Sequence, residues 1–118
     1  MERICIIDDD EAVRDSLGLF LEACGYRADR FESAFAFLDG NTDGCLCMLV
    51  DVHMPGMSGL ELLATLRGRG IETPAIVITA AADASLRSKI AKLAHATCLD
   101  KPVDGDALLE AIAQLAGA

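Results

Sequence analysis

Four places in this 118-residue chain carry groups whose types and spacing could do chemistry. Carboxylates run together at Asp8, Asp9 and Asp10. A single acid, Asp51, ends the apolar stretch Cys45–Val50 and is followed by the turn-forming Met54-Pro55-Gly56. Thr79 closes "PAIVIT", and Lys101 stands in "DKPV". An acid at the tip of a buried strand costs on the order of several kcal/mol unless something compensates. Carboxylates gathered at one spot repel each other and resist desolvation, so a site holding several of them needs a cation. All-oxygen ligation without a His or Cys cluster selects a hard ion, Mg²⁺ in practice. A lone carboxylate beside Mg²⁺, a hydroxyl and a lysine is the equipment for phosphoryl transfer. The acid attacks, and the metal, Lys101 and Thr79 neutralise the oxygens of the moving group.

That chemistry requires the four places to meet, and the intervening sequence predicts that they do. Ile4–Ile7 reads as a buried strand. Glu11–Cys24 reads as a helix with Val13, Leu17, Phe20, Leu21 and Cys24 on one stripe and Gly25 at its end. Tyr26–Phe31 is a weaker strand, and Ser33–Leu38 a short helix before the loop Asp39–Gly44. Leu46–Val50 is the third strand. Ser58 and Glu61 match a capping box that opens a helix running to Arg67 and stopping at Gly68. Pro74–Thr79 is the fourth strand, and Ser85–Ala94 a helix striped by Leu86, Ile90, Leu93 and Ala94. Cys98-Leu99 is a short fifth strand, and Asp104 caps a last helix with Leu108, Ile112 and Leu115 inward. Strict strand–helix alternation with short connections means parallel strands, right-handed crossovers and helices on both faces. Ligands of such a sheet bind outside the carboxyl ends of the strands, where the acids, Thr79 and Lys101 stand.

Composition narrows the partners. The chain is 53% hydrophobic but only 4% aromatic, so it builds an aliphatic core of one domain's size. A formal net charge of −9 argues against nucleic acid as a direct partner. The apolar stretch near the N-terminus is too short for a signal peptide or a membrane span, so no membrane association is expected. Five cysteines without metal spacing suit a reducing cytoplasm. Cys45 and Cys47, two apart on a strand, are expected to share one face as small buried hydrophobes.

Taken together, "CIIDDDEAVRDSL", "MLVDVHMPGMSGLELL", "IVITA" and "DKPV" resemble the receiver (CheY-like) domain of two-component response regulators, nearest to its FixJ-like branch. The resemblance runs from Ile4 to Leu115 and implies one receiver domain over 1–118. It implies a doubly wound α/β fold, a five-stranded parallel sheet in the order 2-1-3-4-5 with five helices. Asp51 falls on the phosphoacceptor position. Asp8 and Asp9 fall on the acidic pair, Asp9 binding Mg²⁺ directly and Asp8 through water. The backbone carbonyl of His53 falls on a further metal ligand, Thr79 on the hydroxyl that closes on the phosphoryl group, and Lys101 on the cation that contacts it. Pro102 matches a proline that the family holds in cis. The family's donors are phosphohistidines on a sensor histidine kinase or a histidine phosphotransfer protein. Its members modify their own aspartate without turning over an external substrate, and some form phosphorylation-dependent dimers.

Other residues have plainer readings. Asp10 and Glu11 suit a helix N-terminus, and the side chains of His53 and His95 are expected to face solvent. Leu19 lies opposite the stripe of the first helix, an exposed position on which family partners dock. The chain departs from the family at three points. Cys98 replaces the strand-five aromatic that reports the switch, Ala94-His95 replaces Gly-Ala, and Val103 replaces the aromatic after Lys-Pro. With Cys98 too small to fill the space behind Thr79, the run Ala80–Ala82 is expected to move instead. Two other classes compete. Asp8-x-Asp10 mimics the nucleophile pair of haloacid-dehalogenase-like phosphatases, though Glu11 and Ala12 stand where that class wants Thr or Val. A degenerate receiver that only binds partners is opposed by the intact set Asp8, Asp9, Asp51, Thr79 and Lys101.

Overall fold

The computed structural model describes residues 1–40, 43–80 and 83–115. Ala81 and Ala82, on which the expected movement behind Thr79 falls, lie outside the described residues. Strands and helices alternate along the chain: β1 (Arg3–Ile7), α1 (Glu11–Ala23), β2 (Arg27–Phe31), α2 (Ala34–Asp39) and β3 (Cys45–Asp51). They continue as α3 (Gly59–Gly68), β4 (Ala75–Thr79), α4 (Ala84–Ala91), β5 (Ala96–Asp100) and α5 (Gly105–Leu115). All strand pairs are parallel, in the order β2-β1-β3-β4-β5. This is the doubly wound sheet expected from the alternation.

Two apolar layers sandwich the sheet. Cys5, Ile7, Met48, Val50 and Val77 point to one side, against Phe37, Leu62, Leu63, Leu66 and Ile90. Ile4, Ile6, Cys47, Leu49, Ile76 and Ile78 point to the other, against Leu17, Leu21, Leu108 and Ile112. The three central strands are buried on both faces, which is why they read as unbroken apolar runs rather than alternations.

The helix ends carry the local corrections. Ser58 and Glu61 form the predicted capping box. Helix α3 nevertheless keeps Gly68 as its last residue, and the left-handed turn falls on Gly70 (φ +77°). There the N–H of Ile71 donates to Leu66 and that of Gly70 to Arg67, a pair of bonds that closes the helix. Helix α4 stops at Ala91, short of the predicted Ala94. Ala94 is exposed, and its carbonyl accepts from Arg67 instead of continuing the helix. Strand β5 is longer than Cys98-Leu99, and β3 starts one residue earlier and includes Asp51.

The cysteine reading needs a larger correction. Register between β1 and β3 shifts between Arg3 and Ile4: Arg3 pairs with Cys45, and Ile4 with Cys47. Leu46 is the extra residue, so Cys45 and Cys47 fall on opposite faces. Cys45 is joined to Cys5 by a disulfide, so it is not merely a small hydrophobe.

Candidate functional site

The carboxyl ends of β1, β3, β4 and β5 bring the chemistry-bearing residues to one rim. Asp8 follows β1 directly and is buried, and Asp51 is the last residue of β3 and buried too. Asp9, exposed beside them, completes a cluster in which one carboxylate oxygen from each of Asp8, Asp9 and Asp51 lies within 4.8 Å of the others. Three acids at such spacing, two of them taken from water, fit a hard divalent cation by donor type and by charge.

The local sequence sets each acid. Asp10 is the N-cap of α1, its carboxylate accepting from the N–H groups of Ala12 and Val13. That leaves the two preceding acids to face the rim. Asp8 accepts from the N–H of Asp10, which bends the chain at the end of β1. Arg14, one turn into α1, reaches back and donates to the Asp8 carbonyl at 2.7 Å. The sequence reading gave Arg14 no role of its own; its spacing from Asp8 is the signal for this brace.

Lys101 closes the rim from β5. Its ammonium lies 3.4 Å from Asp51 Oδ1 and 3.6 Å from Asp8 Oδ2. Burial pulls the Lys101 ammonium towards its neutral form, but the charges of Asp51 and Asp8 outweigh it and hold its pKa above the ordinary value. Burial, aided by the charge of Asp8, pushes Asp51 above the usual carboxylate range, against the opposing pull of Lys101. The peptide between Lys101 and Pro102 is cis, as the resemblance implied.

Thr79 ends β4, fully buried, one residue beyond the Asp51–Ile78 register pair. Its carbonyl accepts from the N–H of Lys101, which ties the ends of β4 and β5 together. Cys98 stands apart from the rim. It pairs with Val77, two residues before Asp100 at the Thr79 position, and is half-buried against the core. Burial pushes its thiol up. His53 is exposed at the start of the β3–α3 loop, and Leu19 is 66% exposed on α1, both as expected. His95 is exposed and holds a left-handed conformation at φ +56°, one residue after the position where the family places glycine.

Gly59, inside the predicted capping box, is a residue to which the sequence reading gave no role of its own. It begins α3 with its N–H donating to the carbonyl of Val52, and a β-carbon there would collide with the Asp51 carbonyl.

Comparison with known proteins finds relatives of this chain in sequence and in fold. The response regulator receiver domain family model matches residues 4–113. The transcriptional regulatory protein FixJ of Azorhizobium caulinodans is 44% identical over 110 residues, which cover 91% of this chain and 51% of that protein. The response regulator protein TodT of Pseudomonas putida is 36% identical over 110 residues, 92% of this chain and 48% of that protein. The chain therefore spans about half the length of the curated relatives it matches. Among solved structures, FixJ-N superposes with a TM-score of 0.87 at 33% identity, covering 99% of this chain and 94% of that one. The chemotaxis protein CheY4 of Vibrio cholerae, at 20% identity, shares the fold with a TM-score of 0.87 over 98% of both chains.

Proposed function

This chain belongs to the response regulator receiver domain family, on its FixJ-like side, and on that premise we propose that Asp51 is its phosphoacceptor. The donor is a phosphohistidine on a sensor histidine kinase or a histidine phosphotransfer protein. A carboxylate oxygen of Asp51 attacks phosphorus, the P–N bond breaks, and the imidazole leaves with a proton. Asp8, Asp9 and Asp51, with the His53 carbonyl, would hold Mg²⁺, which would supply positive charge against the phosphoryl oxygens. Lys101 contacts the transferred group, and the Thr79 hydroxyl closes on it. The reaction is placed in the cytoplasm, and 1–118 is one receiver domain. The product changes the surface that partners meet, including Leu19 on α1 and the face carrying Cys98. It also supports a phosphorylation-dependent dimer. No external substrate is turned over, and this domain makes no direct contact with nucleic acid.

The single observation that carries this reading is the ion pair of Lys101 with both Asp51 and Asp8 at the acidic rim. A haloacid-dehalogenase-like phosphatase would need Asp10 as its second catalytic acid, but Asp10 is spent capping α1. The test is incubation with acetyl phosphate and Mg²⁺. One phosphoryl group, labile at alkaline pH, should appear on the wild type and not on folded Asp51→Asn. Equal labelling of the two proteins, or steady turnover of p-nitrophenyl phosphate, would overturn the assignment.

A further inference from the structure

We propose that Cys5 and Cys45 form a reversible dithiol–disulfide site that staples β1 to β3 and takes a low-molecular-weight disulfide as its oxidant. The two residues are not register partners: Cys5 lies opposite Met48, and Cys45 opposite Arg3. Simple alternation would keep Cys45 on the face of Cys47, away from Cys5. The irregularity at Arg3/Ile4 turns it over, so that Cys45 packs in the layer that contains Cys5. Their α-carbons are then 6.3 Å apart, inside the roughly 4.4–6.8 Å window of disulfides. The bulge is therefore what makes the pair.

Access to the two sulfurs differs. Cys5 is fully buried, whereas Cys45 is only partly buried, at the first position of β3 behind the turn at Gly44. Exchange therefore enters through Cys45. In the oxidising direction the Cys45 thiolate attacks the external disulfide and releases one thiolate. The Cys5 thiolate then attacks the Cys45 sulfur and releases the second. Two protein thiols lose two electrons and two protons, and the external disulfide becomes two thiols. Reduction reverses these steps, beginning with attack by an external thiolate on the Cys45 sulfur.

The other cysteines do not compete. Cys47 faces the opposite layer, and burial pushes its thiol up to about 12, so it supplies almost no thiolate. Cys24 caps the far end of α1, and Cys98 sits on β5. The joined strands are the ones that end in Asp8 and Asp51. The bond joins the middle of β1 to the first residue of β3, so it clamps the sheet without touching the acidic rim.

The test equilibrates the wild-type chain with glutathione and glutathione disulfide at rising ratios, followed by acid quench, alkylation and peptide mapping. The expected result is a loss of about two mass units, one cross-linked peptide pair containing Cys5 and Cys45, and full reversal by dithiothreitol. The oxidised chain should melt about 10 °C above the reduced one. Cys45→Ala should show neither the cross-link nor the shift, and Cys5→Ala gives the same reading independently should one variant fold poorly. An unchanged mass at high oxidant, a cross-link through another cysteine, or a bond that dithiothreitol leaves intact in the folded protein overturns the proposal.

Discussion

A methyl group at position 59 would come 2.3 Å from the carbonyl oxygen of Asp51 and 2.9 Å from Cγ1 of Val50. The first residue of α3 is thus seated directly on the end of β3, and only a residue without a β-carbon fits there. Gly59→Ala must push back the backbone that carries Asp51, since the closest atom belongs to the main chain rather than to a movable side chain. It should destabilise the fold by roughly 1–3 kcal/mol, as overpacking does, and slow phosphoryl uptake from acetyl phosphate. Urea unfolding and a labelling time course check both parts. A variant with the wild-type midpoint and the wild-type rate would show that the seat does not position Asp51.

Asp51 should be a stability liability without metal. Its pKa is raised by burial and then by Asp8, so the folded state favours the protonated acid. A group raised in this way stabilises the fold at low pH and loses that contribution as pH climbs through its native pKa. The loss therefore develops above the ordinary aspartate value of 3.8. In EDTA, Asp51→Asn should be more stable than the wild type at pH 7. The advantage should vanish below about pH 4, where Asp51 is protonated in both states. Thermal melts of the two proteins across this range read the difference directly, and a gap independent of pH would contradict the argument.

Mg²⁺ should reverse the sign of that liability. An ion that binds only the native cluster stabilises it by roughly 2.7 kcal/mol at 100 times its dissociation constant. Asp9 is the exposed member of the cluster, so Asp9→Ala removes a ligand without opening the core. The variant should lose most of the Mg²⁺-induced rise in melting temperature, while its metal-free melting temperature equals or exceeds that of the wild type. A wild-type melting temperature indifferent to millimolar Mg²⁺ would count against a metal site here.

How far these features were legible in the sequence depends on what fixes them. The convergence of Asp8, Asp9, Asp51 and Lys101 follows from strand–helix alternation alone, because a parallel sheet collects its carboxyl ends at one rim. The cap at Ser58 was legible because its bonds are local, within three residues. The cysteines were misread because a bulge is a property of two strands paired across 42 residues, and a period-two reading of β3 by itself cannot contain it. Helix α4 was overextended for a similar reason. Leu93 and Ala94 continue its stripe, but Arg67, from α3, takes the Ala94 carbonyl and ends the segment. The Gly59 seat was invisible because it depends on a distance between elements, not on spacing along the chain.

His95 carries a conformation that its side chain disfavours. At φ +56° it is the one non-glycine residue among the described residues with positive φ. Its carbonyl accepts from the N–H of Ala75 at 2.9 Å, so the backbone there is held by the start of β4 and cannot relax cheaply. The left-handed region costs a residue with a β-carbon roughly 1–2 kcal/mol. Glycine removes that cost but gains unfolded-state freedom worth roughly 0.4–1 kcal/mol in the opposite sense. The contact with Glu72, at 3.8 Å with both side chains more than half exposed, adds little either way. His95→Gly should therefore be more stable than the wild type by up to about 1 kcal/mol. His95→Val, β-branched and least able to take positive φ, should be less stable by a similar amount or more. Phosphoryl uptake at Asp51 should be unchanged in both variants, because His95 precedes β5 at the end of the sheet away from the acidic rim. Urea midpoints ranked Gly, His, Val would bear this out. The reverse order would mean that the His95 side chain makes interactions that outweigh its backbone cost.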